Sequence, residues 1–198
     1  LKFGAGINPG DINVVRNGLN LEFRHSNGSD KVIVTNWFAS ADASAYKLER
    51  IDFAISEAKR HHQNFGLLSL DLDRFKEVND TYGHALGDKV LIEMGHRVAG
   101  CLREIDTVSR VGGDEFSILV REVKDKNALL VVVRKILTEL RKPIRVDDVA
   151  EMRMSASIGG AVYPQDGTDP LDLLNKSDLA MYAVKSSGRD NYKLFSEN

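Results

Sequence analysis

At 198 residues the chain has room for one full domain and a small appendage, with 42% hydrophobic and 28% charged residues, ordinary values for a globular protein. A net charge of −2 excludes a bulk electrostatic pull towards nucleic acid or an anionic membrane, so any phosphate binding has to come from a local site. The single cysteine, Cys101, excludes an internal disulfide, and no apolar run reaches the roughly 20 residues of a membrane span.

The start carries no signal-peptide pattern, and a chain that opens on Leu1 rather than Met is expected to follow an upstream portion. Residues 1–45 are rich in Asn and Gly and form a first, strand-rich segment. Leu19, Leu21 and Phe23 alternate with Asn20, Glu22 and Arg24, the period of a half-buried strand, and Val32 and Val34 repeat it. Asn17-Gly18 and Asn27-Gly28 are hairpin signals, so residues 11–38 predict a three-stranded meander ending at Trp37-Phe38. A core that small needs a neighbour to cover it.

Residues 46–198 form the second unit. Leu48, Ile51, Ile55 and Ala58 make one helical stripe that ends in Lys59-Arg60; the adjacent His61-His62 have no further metal-ligand companions and are read as solvated. Phe65 to Leu72 is an apolar run closed by acids, a buried strand. Helices follow over Leu86–Leu102, Asn127–Leu140 and Leu171–Ser187, with strands over Met154–Tyr163 and Tyr192–Phe195. Thr107 to Val120 reads as strand, Gly-Gly turn, strand, so the central hairpin is antiparallel. The result is an α/β (α+β) domain with a mixed central sheet flanked by helices. Cys101 falls on an apolar helix face and is read as a core residue.

Two acidic clusters stand at strand ends: Asp71-Leu72-Asp73, and Asp114-Glu115 at the tip formed by Gly112-Gly113. Carboxylates on adjacent strands suit Mg²⁺, which takes few protein ligands and completes its shell with water and phosphate. Of Asp71 and Asp73, only one is expected to point at a shared site. Acids at a hairpin tip also occur as solvated turn residues. Here they keep the company of Phe75-Lys76, Asn79-Asp80, Gly83-His84, Gly87-Asp88 and two cations, Lys185 and Arg189, expected on one face of the last helix. Together these make a coherent nucleotide-polymerising site.

The run from Leu70 through Asp71-Leu72-Asp73-Arg74-Phe75 to Gly83-His84, then Gly87-Asp88, then Arg110-Val111-Gly112-Gly113-Asp114-Glu115-Phe116, resembles the signature of GGDEF domains. Ser157-Ile158-Gly159 and Ala183 to Asp190 resemble that family's later motifs, so the likeness spans about residues 48–198 in order. The resemblance implies a palm-like sheet of the nucleotide-cyclase type and a diguanylate cyclase, a nucleotidyltransferase that condenses two GTP into cyclic di-GMP and pyrophosphate. It implies Mg²⁺ or Mn²⁺ held by Asp71, the Leu72 carbonyl, Asp114 and Glu115, with Glu115 assisting at the metal or in deprotonating the attacking hydroxyl. Asn79 and Asp88 would read guanine. Lys76, Lys185 and Arg189, with backbone near Phe75, would neutralise the triphosphate, and Gly112 and Gly113 would let the nucleotide lie close to the turn. Each domain holds one GTP, so a homodimer is part of the expectation, as is a cytoplasmic catalytic domain whose longer parent could be membrane-attached.

Arg103 and Asp106 occupy the place of the family's RxxD site for product inhibition, with Arg134 a looser candidate for the same pocket. On spacing alone they also read as a helix-end ion pair. The rival function is therefore a catalytically inactive sensor of GTP or cyclic di-GMP. His84, Asp73 and Asp80 are read as structural. Two departures stand out: the DxLTGLxNR segment that opens GGDEF domains is absent, which bears on the first helix and on dimer geometry. In its place, Leu1 to Ile7, Asp11-Ile12, Leu19 to Leu21 and Val32 to Phe38 resemble the haemolysin-type calcium-binding related module, without the Gly-Asp repeats that bind calcium.

Overall fold

The computed structural model describes residues 12–17, 20–25, 31–35, 43–145 and 151–196, with side chains described from Leu48 onward. The first three strands, β1 (Ile12–Asn17), β2 (Asn20–His25) and β3 (Lys31–Thr35), pair antiparallel in sequence order as the expected meander. Gly18, the Asn27-Gly28 turn and the Trp37-Phe38 pair lie outside the described residues. Helix α1 (Ala43–His61) follows, then strand β4 (Phe65–Leu72), the short helix α2 (Phe75–Tyr82) and helix α3 (His84–Ala99). Strands β5 (Thr107–Gly112) and β6 (Glu115–Arg121) form the hairpin, before helix α4 (Lys126–Leu140). Strand β7 (Ala156–Tyr163), helix α5 (Pro170–Ser186) and strand β8 (Asn191–Leu194) complete the fold.

The sheet order is β1-β2-β3-β5-β6-β4-β7-β8. Its five-strand part, β5-β6-β4-β7-β8, is mixed, with β8 parallel to β7 and every other pair antiparallel. The meander meets its need for a neighbour through β3, which runs parallel to β5 with Val34 opposite Val108 and Thr35 opposite Ser109.

Strand β4 lies between β6 and β7 with all eight of its residues buried, Leu67, Leu68, Leu70 and Leu72 among them. Its alternation feeds two cores. Leu68, Leu70 and Leu72 pack with Phe75, Val78, Val90, Met94, Leu129 and Ile136 from α2, α3 and α4. Phe65 and Leu67 pack with Ile51, Ile55, Leu173 and Leu174 from α1 and α5 on the other face. Leu67, Leu68, Leu70 and Leu72 are each 0% exposed, and burial of each contributes about 2 kcal/mol before entropy is counted.

The helix ends are fixed by local chemistry. Asp125 accepts from the Ala128 N–H at 2.8 Å to start α4, and Asp169 accepts from the Leu171 and Asp172 N–H groups at 2.9 and 3.1 Å to start α5. Arg97 of α3 donates to the carbonyls of Glu139, Lys142 and Pro143, closing the far end of α4. Helix α5 rests directly on β7: a β-carbon at Gly159 would fall 2.1 Å from both the Met181 nitrogen and the Ser177 carbonyl oxygen. That close approach sets the height at which α5 crosses the sheet.

Candidate active site

The ends of β4, β6 and α5 converge. In the β4–β6 register Asp71 stands opposite Glu115, and the Leu72 N–H donates to the Asp114 carbonyl at 3.2 Å, so the hairpin tip is tied to the end of β4. Between β5 and β6 the pairing shifts at Arg110/Gly112, and Gly113 takes φ of +50°, the left-handed turn that glycine supplies without strain. Above the acids, Lys185 near the end of α5 brings its ammonium to 2.6 Å from Asp71 Oδ2.

The electrostatics follow from that crowding. Burial raises the pKa of the Asp71 carboxyl; Asp114 and Glu115 push it the same way, while the Lys185 hydrogen bond and charge pull it down. Three carboxylates thus share one region with a single ammonium paired to the innermost. Among the described residues no group of three or more His, Cys, Asp or Glu side chains is arranged to cage an ion. The donor set is instead the sparse, all-oxygen kind that Mg²⁺ or Mn²⁺ completes with water and phosphate, and the mutual repulsion at Asp71 is what a divalent cation relieves. The residues fit such an ion.

Asp73 turns away from this point. Its carboxylate accepts from Ser155 Oγ at 2.6 Å, Ser157 Oγ at 2.7 Å and the Asp190 N–H at 2.9 Å, pinning β4, β7 and the start of β8 together. Phe75 is buried, Lys76 exposed, Asn79 half-buried and Asp88 exposed. No side chain caps the start of α2, so the first N–H groups beside Phe75 and Lys76 are available to an anion. Gly112 and Gly113 have nothing within 4 Å of where a β-carbon would stand, so the space over the turn is open.

Arg189 departs from the expected helix face. Helix α5 ends at Ser186, Gly188 takes φ of +116°, and Arg189 lies beyond the turn at φ +65°. The reason is a helix stop in which the Arg189 N–H reaches back to the Val184 carbonyl at 3.1 Å. Lys185 and Arg189 are therefore presented from a helix and from the loop after it.

Arg103 and Asp106 form a compact pair ahead of β5. Asp106 accepts from the Arg103 N–H at 2.9 Å, from the Arg103 guanidinium at 3.2 and 3.3 Å, and from the Arg121 N–H at 2.9 Å. Arg134 on α4 is engaged elsewhere: its Nε donates to the Tyr192 hydroxyl at 2.7 Å, on β8. His84 opens α3 and is exposed, as are His61, His62 and Asp80. Cys101 is buried, and burial pushes its thiol up to about 11.

One participant escapes a reading of the text alone. Arg110 is half-buried, its Nε donates to the Gly113 carbonyl at 2.9 Å, and the charges of Asp88 and Asp114 both act on it while burial pulls its pKa down. It stands between the Gly112-Gly113 turn and the start of α3. Its position just before Gly112-Gly113 was the available signal.

Comparison with known proteins agrees with this fold. Residues 44–191 match the family described as diguanylate cyclase, GGDEF domain, and residues 20–54 match the haemolysin-type calcium binding protein related domain. The diguanylate cyclase TpbB of Pseudomonas aeruginosa is 39% identical over 145 residues, covering 73% of this chain and 33% of TpbB. The bifunctional diguanylate cyclase/cyclic di-GMP phosphodiesterase MucR of the same species is 41% identical over 147 residues, covering 74% of this chain and 21% of MucR. The chain thus spans a third or less of these curated relatives. The crystal structure of the GGDEF domain of TpbB superposes with a TM-score of 0.74 at 37% identity, over 78% of this chain and 96% of that domain.

Proposed function

The chain belongs to the diguanylate cyclase GGDEF domain family, and from that membership and the site described above we propose that it condenses two GTP into cyclic di-GMP and two pyrophosphates. The observation that carries the proposal is the meeting of Asp71, Asp114 and Glu115 beneath Lys185 at one end of the sheet.

In this reading Asp71, the Leu72 carbonyl, Asp114 and Glu115 hold Mg²⁺ or Mn²⁺, which supplies neutralisation of the phosphates and activation of the ribose hydroxyl. Lys76, the N–H groups beside Phe75, Lys185 and Arg189 bind the triphosphate, and the open turn at Gly112-Gly113 admits it closely. Asn79 and Asp88 read the base, Asp88 by accepting from the ring N–H and the amino group that guanine alone presents together. The 3′-oxygen of one GTP forms a bond to the α-phosphorus of the other as the bond to pyrophosphate breaks, with Glu115 positioned to take the hydroxyl proton. The reaction is phosphoryl transfer by positioning and charge. Because each domain holds one nucleotide, two copies face each other and the second condensation closes the ring. The 1–45 and 46–198 segments act as appendage and catalytic domain, and Arg103 with Asp106 form a product-binding site.

Purified chain supplied with GTP and Mg²⁺ or Mn²⁺ should yield cyclic di-GMP and pyrophosphate, with specific activity rising with protein concentration and abolished in Asp114→Ala. Absence of product at every concentration, together with cyclic di-GMP binding that Arg103→Ala removes, would instead identify the sensor.

A further inference from the structure

Gly87 sits in α3 with no room above it. A β-carbon there would fall 1.9 Å from Asn79 Oδ1, 3.0 Å from Asn79 Cγ and 3.3 Å from Phe75 Cζ. The backbone gives no reason for a glycine: Gly83, Gly113 and Gly188 are the glycines with positive φ among the described residues, and Gly87 is not one of them. Its N–H donates to the Gly83 carbonyl at 3.1 Å in the opening turn of α3. Alanine is the better helix former at such a position.

The contrast with Gly159 is instructive. There the clash would be with helix backbone, the Met181 nitrogen and the Ser177 carbonyl oxygen, and glycine serves packing. At Gly87 the first atom struck is the polar end of a half-buried side chain from a different helix. The amide of Asn79 therefore lies directly on the α-carbon of residue 87, one residue from Asp88.

We propose that Gly87 is a positioning residue for base recognition: its bare α-carbon is the seat that holds the Asn79 amide beside Asp88, so that the two side chains address one guanine together. The proposal rests on the guanine-reading role given above to Asn79. A methyl group at 87 evicts the amide from its seat while leaving the helix intact, which separates recognition from folding.

The test uses the full chain and 3′-deoxy-GTP, which binds without a hydroxyl to react, in calorimetric titrations with Mg²⁺ on Gly87→Ala, Asn79→Ala and the double variant. Gly87→Ala should weaken binding about tenfold and narrow the preference over 3′-deoxy-ATP, without a lower melting temperature. On the Asn79→Ala background the same substitution should change affinity by less than about twofold. If Asn79→Ala binds like the parent, the base-reading role of Asn79 fails. If Asn79→Ala is weakened but Gly87→Ala is not, or if the effects add in full, the seat is overturned. Should Gly87→Ala alone fail to fold, the double variant decides. It lacks the amide that the methyl would strike, and must fold and bind like Asn79→Ala; its failure to fold would equally overturn the proposal.

Discussion

Lys185 on the last helix and Asp71 on the central strand are joined at 2.6 Å, Nζ to Oδ2, across an acidic cluster. The ammonium favours the ionised carboxylate against burial and against Asp114 and Glu115. It also competes for the oxygen that a metal would use.

That double role fixes two opposite outcomes for Lys185→Met. Removing the competing cation should tighten Mn²⁺ binding to the nucleotide-free protein by a few-fold, since a partly exposed pair of this kind is worth about 1 kcal/mol. Removing a charge-assisted phosphate contact should raise the GTP KM by about ten- to a hundredfold. Manganese titration followed by electron paramagnetic resonance, beside steady-state kinetics, reads both. Weakening of metal and nucleotide together would assign Lys185 a purely structural place.

Asp73 should behave as the reverse of Asp71. Its carboxylate faces three donors, two serine hydroxyls and the Asp190 N–H. Asp73→Asn turns an amide group with its own hydrogens towards those donors and should cost about 3 kcal/mol in a urea unfolding curve. Metal affinity of the folded fraction should stay within a factor of about two, because the side chain does not face the acidic cluster. A large loss of metal affinity without loss of stability would place Asp73 in the metal site instead.

The same two acids show how far the text could be read. The almost continuous apolar run Phe65–Leu72 announced β4, because a strand buried on both faces carries apolar residues towards both. The ordered motifs gave the neighbourhood of the site for a similar reason: each is short, local and at a strand or helix end. Contacts made across the fold were not legible. The partners of Asp73 stand 82, 84 and 117 positions away. Helix α2 buries only Phe75 and Val78, too few to show a helical period. Arg189 looked like a helix-face partner of Lys185 because the spacing of four survives in the text after Gly188 has turned the chain.

Arg103 and Asp106 differ in what each supports. The Asp106 carboxylate is 2% exposed and holds the Arg103 and Arg121 N–H groups, whereas the Arg103 side chain is 54% exposed. Asp106→Ala should therefore cost about 2 kcal/mol by leaving backbone donors without acceptors. Arg103→Ala should move stability by less than about 1 kcal/mol. Only the second variant reports cleanly on ligand: if the pair forms a product site, cyclic di-GMP affinity falls at least about tenfold in Arg103→Ala. Unchanged affinity in calorimetry would leave the pair as a structural staple.

His96 on α3 offers a readout of folding that does not touch the site. It is buried, and burial lowers its imidazole pKa from 6.5 to about 3. In the unfolded chain the ring takes up its proton near the ordinary value, while in the folded protein it stays neutral. Between the two values the unfolded state binds more protons, so this contribution to stability is complete above pH 6.5 and drains away as pH falls towards about 3. One pH unit corresponds to about 1.4 kcal/mol, so roughly 2 kcal/mol should be gone by pH 5. Urea unfolding of the parent and of His96→Gln at pH 7.5, 6 and 5 (values of about this spacing suffice) should give a shallower decline in the variant by that amount. Parallel declines would mean that the ring protonates in the folded protein as readily as in the unfolded chain.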